Sequence, residues 1–165
     1  MSWESDIPRV YDATVDHHES PIHCDLIPGP IEPRKNTLPG SVGADVIFLG
    51  RTRPEEHPEF GRLTALEYEA HETMAPRIMR EICDELLSEF GLTHISMVHA
   101  TGRVAIGEAS VRLHISAEHR AEAFAAVAAG MDRLKARVPI WKCERWEDGR
   151  SWSRGTAIAD VKGVS

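Results

Sequence analysis

The side chains best suited to chemistry are cations clustered near the end of the sequence. Over residues 131–146 the chain carries five basic residues and two acidic ones: Arg133, Lys135, Arg137, Lys142 and Arg145, against Asp132 and Glu144. Lys135 and Lys142 flank Pro139, where a helix must end and the chain is expected to reverse, so both ammonium groups can face one pocket. Two close ammonium groups destabilise each other's charge. A lysine in that setting can act as nucleophile, general base or anion ligand, and the alternative is a solvated basic edge.

A second cationic pair, His119 and Arg120, is predicted in the first turn of a helix. A helix start offers free backbone N–H groups and a partial positive charge. An imidazole and a guanidinium placed there would form a seat for a phosphate or a carboxylate. The alternative is an exposed pair at a helix end, and position alone does not choose between the two.

Weaker candidates lie elsewhere in the sequence. Arg51 and Arg53 follow the first clear strand, at a strand–loop junction where substrate-positioning groups are common. The indole of Trp141 suits the face of a flat heterocycle but is equally at home in a core. The histidines and the cysteine of segment 17–24 match no zinc-binding spacing, so no metal site is predicted. GxGxxG, P-loop and HExxH motifs are absent from the sequence.

Alternating strands and helices must position these side chains. Apolar runs bounded by Gly and Pro predict strands over 44–50, 63–69, 95–98, 109–115, 140–146 and 151–153. Apolar residues at helical spacing predict two helices, over about 73–90 and 117–137. Runs of strands separated by these helices indicate an α+β fold rather than a wound parallel sheet.

Local signals refine this prediction. Thr73 is expected to cap the first helix and Ser116 the second. Gly102 and Gly107 are expected at the turns between the third and fourth of these strands. The second helix is expected to bury one apolar stripe: Ala121, Phe124, Val127, Ala128, Met131 and Leu134.

Composition limits the classes of function. The chain has 165 residues, with 19 Lys and Arg against 26 Asp and Glu and a net charge of −7. This balance argues against general binding of nucleic acid or anionic membranes. The sequence contains no apolar run of transmembrane length, and its first residues lack the apolar core of a signal peptide. Three widely separated cysteines indicate a reducing compartment, so a cytoplasmic location is expected.

The chain is predicted to divide into three segments. Residues 1–40 contain six prolines and several acids, and we interpret them as an extended arm that is either laid on the domain or partly mobile. Short apolar pieces at Val10-Tyr11 and around Ile22 could form strands there. Residues 41–155 are expected to form the folded domain that carries the chemistry, and residues 156–165 a C-terminal tail.

A series of linked motifs is the part of the sequence that is most specific to one protein family. The first half contains Gly43-Ala44…Phe48-x-Gly50-x-x-Arg53 and Leu66-Glu67-Tyr68-Glu69…Met74-Ala75. The second half contains His99…Gly102…Ile106-Gly107-Glu108, His119-Arg120-x-x-Ala123-Phe124, Met131-Asp132-x-Leu134-Lys135, Pro139-Ile140-Trp141-Lys142-x-Glu144 and Asp148-Gly149-x-x-Trp152. In order and approximate spacing, over about residues 42–153, this series resembles the large, catalytic subunits of molybdopterin synthase, the MoaE family.

The resemblance implies an α/β-hammerhead-type fold with an additional antiparallel β-sheet, working as a homodimer within a heterotetramer. It implies a sulfurtransferase that receives the C-terminal Gly-Gly tail of a small ubiquitin-like subunit, whose thiocarboxylate supplies sulfur. Two sulfurs from separate small-subunit molecules would convert cyclic pyranopterin monophosphate (precursor Z) to the dithiolene of molybdopterin, in molybdenum cofactor biosynthesis. No metal or other cofactor is implied. The alternative is a non-catalytic dimeric module of the same fold that binds an anionic heterocycle or a ubiquitin-like tail.

The resemblance also implies roles for the cations. Lys135 and Lys142 would be the catalytic pair, the first near the small-subunit tail and the second near the substrate and the reacting acyl group. His119 and Arg120 would bind substrate anions across the dimer interface. Arg53, after the first core strand, would help to hold the substrate.

The same resemblance implies which residues form the wall of the substrate pocket. The sequence also differs from the family's pattern at some positions. Phe48 and Met131 would line the substrate pocket, with Glu144 nearby. Ala100 occupies a position where many relatives carry arginine, so the charge contributed there is missing. Cys143 replaces a residue that is often basic.

Overall fold

The computed structural model describes residues 20–31 and 42–153, which form a sheet with two helices packed on one face. The strands are β1 (Ile22–Pro28), β2 (Ala44–Arg51), β3 (Glu56–His57), β4 (Gly61–Ala70), β5 (His94–Ala105), β6 (Ala109–Ala117), β7 (Ile140–Trp146) and β8 (Gly149–Trp152). The helices are α1 (Met74–Phe90), between β4 and β5, and α2 (Arg120–Arg137), between β6 and β7. The predicted α+β class is confirmed for this part of the chain. Neither of these helices is both long and apolar enough to traverse a bilayer.

The sheet has the strand order β2-β6-β5-β4-β7-β8, with β1 added to β5 and β3 added to β4. Among the described strands, the β1–β5 pairing is parallel and the other pairings are antiparallel. β1 lies in the segment that the sequence predicts as an arm, and it pairs along Ile95 to Thr101 of β5. The strand predicted at Val10-Tyr11 and the tail over 156–165 lie outside the described residues.

β5 is longer than the sequence predicts, because Gly102 lies inside the strand rather than at a turn. Residues His94 to His99 pair with β6, whereas Gly102 to Ala105 pair with β4. Gly102 has a φ of +72° at this change of partner, a conformation that residues with a Cβ adopt rarely. The glycine thus allows one strand to join the two halves of the sheet. The other predicted turn glycine, Gly107, does lie in the turn before β6.

α1 follows its predicted pattern closely. Its buried face consists of Ala75, Met79, Ile82, Cys83 and Leu86. The helix ends at Gly91, whose φ of 60° is left-handed and whose backbone N–H donates to the carbonyl of Leu87, a common glycine C-cap. Thr73 occupies the N-cap position without a side-chain hydrogen bond.

α2 differs from its prediction at both its start and its buried face. β6 continues to Ala117 and the N-cap is His119, so the prediction that Ser116 caps this helix is wrong. The predicted apolar stripe is also wrong in part, because Phe124 is 61% exposed. The residues that α2 buries are Ala123, Ala126, Gly130 and Leu134.

Small side chains explain the buried face of α2. A Cβ added at Gly130 would lie 2.7 Å from Cδ2 of Leu113 and 3.2 Å from Cδ1 of Leu86. The helix therefore approaches β6 and α1 more closely than a stripe of large residues would permit.

A matched pair of methionines on α1 tests this core. Met79 is fully buried and Met74 is 41% exposed on the same helix. We expect Met79→Ala to lower the free energy of unfolding by about 2–5 kcal/mol, because it removes buried methylenes and leaves a cavity. Met74→Ala should cost less than about 1 kcal/mol. Urea denaturation of both variants measures the difference, and similar losses for the two would contradict the described core.

Candidate functional site

A cavity of about 440 Å³ lies between β2, the end of α2 and β7. Its lining includes six residues singled out from the sequence: Phe48, Met131, Lys135 and Lys142, and the weaker candidates Arg51 and Trp141. It also includes residues to which sequence reasoning assigned no pocket role, notably Tyr68, His99, Ser110 and Ser153. The volume falls within the range of small-molecule pockets.

The charge of this cavity is opposite to that of the chain. Arg51, Lys135 and Lys142 border it, and none of the described residues that line it is an aspartate or a glutamate. Lys135 comes from the last turn of α2 and Lys142 from β7. Cations concentrated in a cleft with apolar walls focus a positive potential, and such a cleft attracts anions.

Glu144 lies behind Lys142 rather than in the cavity lining. Its carboxylate is 3.2 Å from Nζ of Lys142 and accepts hydrogen bonds from Oγ of Ser153 at 2.5 Å and of Ser151 at 3.2 Å. Burial alone would raise the pKa of Glu144, but these hydrogen bonds and the charge of Lys142 hold the pKa below its usual value. An ionised Glu144 therefore orients the ammonium group of Lys142 from one side.

Aromatic side chains form part of the wall. Phe48 and Trp141 both border the cavity and are 36% and 52% exposed. Trp141 is therefore not the buried core residue that was one of its two interpretations. An exposed aromatic face beside a cationic pocket suits a flat, charged ligand.

His99 supplies an uncharged polar group to the same cavity. The ring is buried, and Nδ1 donates to the carbonyl of Ala100 at 2.8 Å, which leaves the lone pair of the neutral ring on Nε2. Burial lowers the pKa of His99 and outweighs the opposing effect of the Ala100 carbonyl. The ring of Tyr68 packs edge-on against the ring of His99, with 5.0 Å between the ring centroids, and its hydroxyl donates to Oγ of Ser110.

The sequence contained a partial signal for these two residues. His99 and Tyr68 both occur in the linked motifs, but neither is close in sequence to Lys135 or Lys142. Strand pairing brings them to the cavity, because Tyr68 lies opposite Lys142 in the β4–β7 register. That register depends on contacts between distant segments, which local patterns do not specify.

Three of the predicted substrate cations do not line this cavity in the described part of one chain. Arg53 is 82% exposed and lies 3.6 Å from Glu55, whereas Arg51 borders the cavity. His119 and Arg120 are exposed at the start of α2. Fifteen residues of helix separate Arg120 from Lys135, which is about 22 Å along the axis. The roles assigned to His119 and Arg120 therefore stay predictions that involve a second chain, and the role assigned to Arg53 stays a prediction.

No group of three or more His, Cys, Asp or Glu side chains in residues 20–31 and 42–153 could hold a metal ion. His17 and His18, two of the three histidines of segment 17–24, lie outside these ranges.

The fold and the site define an α+β protein with a cation-lined pocket of small-molecule size. A family model described as "MoaE protein" matches residues 29–137, about two thirds of the chain. The chain belongs to the MoaE family, which confirms the resemblance seen in its motifs.

Individual relatives agree with this assignment. The chain is 41% identical to the molybdopterin synthase catalytic subunit of Drosophila willistoni over 79% of its own length, and 39% identical to that of Homo sapiens over 67%. It spans only 36% and 57% of the lengths of those two proteins. Among solved structures, molybdopterin synthase from Staphylococcus aureus superposes with a TM-score of 0.71 at 33% identity, covering 82% of this chain and 98% of that one.

Because the pKa of His99 is lowered in the folded state, we expect the free energy of unfolding to depend on pH. The folded state disfavours the charged ring, whereas an unfolded histidine binds a proton near its ordinary pKa of 6.5. The contribution of the neutral His99 ring to the free energy of unfolding is therefore complete above about pH 6.5. It is lost as the pH falls toward the lower pKa of the folded state. We expect His99→Gln to flatten the fall in unfolding free energy between about pH 7.5 and 5.5.

Urea denaturation across this pH range measures the effect. His119→Gln is the matched control, because the side chain of His119 is 71% exposed, and it should leave the slope as in the unsubstituted protein. Equal slopes for His99→Gln and the unsubstituted protein would rule out the proton linkage.

Proposed function

We propose that this chain is the catalytic subunit of a molybdopterin synthase. In this function it transfers two sulfurs from a thiocarboxylated small ubiquitin-like subunit to cyclic pyranopterin monophosphate. The single observation that carries the proposal is the pocket that gathers Lys135, Lys142 and Arg51 with no described carboxylate in its lining. The names of the relatives point to the same activity.

The chemistry of the reactants fits such a pocket. The substrate carries a phosphate and the sulfur donor is a thiocarboxylate, so both reactants are anions. Bringing them together requires neutralisation of charge in a partly dry site, where fixed cations act most strongly. The thiocarboxylate sulfur is already nucleophilic, so the lysines act as electrostatic stabilisers and proton carriers rather than as obligate covalent nucleophiles.

Roles can be proposed for the individual side chains. Lys142, held by Glu144, would stabilise the charge that develops on the reacting acyl group. Lys135 would pair with the tail of the small subunit. Phe48 and Met131 would contact the flat pterin as part of the pocket wall.

The proposed assembly is a homodimer that binds two small subunits as a cytoplasmic heterotetramer. The axial separation of Arg120 from Lys135 supports a pocket shared between chains, because one chain does not deliver both ends of its helix to one cavity. In this arrangement His119 and Arg120 of one chain, with Arg53, would bind substrate anions beside the lysines of the other.

A reconstituted assay with thiocarboxylated small subunit and precursor Z tests the two lysines. Lys142→Ala and Lys135→Ala should each lower product formation on the order of 10²-fold or more, the cost of removing one preorganised charge-stabilising group. The control is Arg77→Ala, which removes a surface cation of α1 that forms an ion pair with Glu81.

Near-normal turnover in both lysine variants would reject their catalytic roles. Binding of precursor Z or of the small subunit by the unsubstituted protein, with no molybdopterin formed, would favour the non-catalytic binding module instead.

Mixed dimers test the shared pocket. A chain with Arg120→Ala and a chain with Lys142→Ala each lack one part of every pocket in their homodimers, but a mixed dimer retains one complete pocket. We expect the mixed species, purified by two affinity tags, to regain up to about half of the unsubstituted activity. Activity equal to the mean of the two parent homodimers would contradict contributions from both chains.

A further inference from the structure

Two of the three cysteines lie side by side in the fold. Cys24 is on β1 and Cys83 is on the buried face of α1, and their Sγ atoms are 3.5 Å apart. Cys83 is fully buried and Cys24 partly so. A disulfide needs a separation of about 2.05 Å, so a relative shift of about 1.5 Å would close the gap. The third cysteine, Cys143, is buried on β7.

Cys24 borders a second cavity, of about 620 Å³, whose charge differs from that of the first. Its described lining contains Asp25, Glu69 and Glu72 and no Lys or Arg. Three carboxylates disfavour entry of anionic thiol reagents such as glutathione disulfide. A small neutral molecule meets no such barrier and has room to reach the sulfur.

We propose that Cys24 and Cys83 form a dithiol site that hydrogen peroxide, as the small neutral oxidant, converts to an intramolecular disulfide. The site is separate from the lysine pocket and does not depend on the proposed sulfur-transfer function. Cys24 is the thiol that reacts first, because it borders the cavity, and Cys83 is the resolving thiol behind it.

The electrostatics of the pair agree with this order. The contact with Cys83 lowers the pKa of Cys24, which outweighs burial, and the charge of Arg80 adds to the effect. The same contact and burial raise the pKa of Cys83. Cys24 therefore loses its proton more readily than Cys83, and the thiolate is the form that attacks peroxide.

The reaction balances in two steps. The Cys24 thiolate attacks one peroxide oxygen, an S–O bond forms, the O–O bond breaks, and the departing hydroxide takes a proton to become water. The sulfur of Cys83 then attacks the sulfenic sulfur of Cys24, an S–S bond forms and the S–O bond breaks. The proton of Cys83 leaves with the second hydroxide as water. In sum, two thiols are oxidised, one peroxide is reduced and two waters form.

The disulfide would join β1 to α1 across 59 residues of chain. A cross-link that closes a long loop restricts the unfolded chain, so the oxidised protein should melt at a higher temperature than the reduced one. Dithiothreitol should reverse both the cross-link and the shift in melting temperature.

The test treats the reduced, folded protein with hydrogen peroxide and counts free thiols after denaturation. We expect three thiols to fall to one, and peptide mapping to recover a single linked pair that contains Cys24 and Cys83. Cys143→Ser is the matched control and should fall from two thiols to none. Glutathione disulfide at the same concentration should react more slowly than peroxide.

Two further variants separate the steps. Cys24→Ser should keep both remaining thiols, and Cys83→Ala should trap Cys24 as a sulfenic acid that dimedone labels. The mapping of the unsubstituted protein needs no variant, so a folding defect in Cys83→Ala leaves the test intact. Retention of three thiols, or a linkage that involves Cys143 or a second chain, would overturn the proposal.

Discussion

The cationic pocket depends on the chain reversal between α2 and β7. Val138 is extended, and Pro139 prevents the helix from continuing. The carbonyl of Pro139 accepts the backbone N–H of His71 at 3.1 Å, which fixes the reversal beside the start of α1. Since β7 then pairs along β4, Lys135 and Lys142 reach one cavity from two rigid elements. Without this reversal the two ammonium groups would lie on unrelated surfaces.

Tyr68 borders two cavities of opposite character. On one side lie lysines and an arginine, and on the other lie three carboxylates beside a thiol, within the described lining of each. A chain with a net charge of −7 therefore presents a local positive field at a cavity whose described lining contains no acidic side chain. Glu144 is consistent with this separation, because it contacts Lys142 from outside the cavity lining and is held there by two serines.

The spacing of apolar residues did not predict the buried face of α2 correctly. An alanine-rich helix contains many positions of similar hydrophobicity, so the sequence does not specify which face is buried. The structure buries Ala123, Ala126 and Gly130, and the absence of a side chain at Gly130 lets α2 approach Leu113. Phe124, the largest apolar residue of the predicted stripe, is not part of this buried face and is exposed.

The sequence by itself determined the α+β class, the course of α1, the strands that flank α2, and the family, because these rest on local periodicity, on punctuation by Gly and Pro, and on linked motifs. It also placed Lys135 and Lys142 on adjacent elements around one proline. Only the tertiary structure decided that His99 and Tyr68 share the cavity of those lysines, and that Cys24 lies against Cys83. Those neighbours are set by strand register and helix packing, which depend on contacts between residues far apart in the chain.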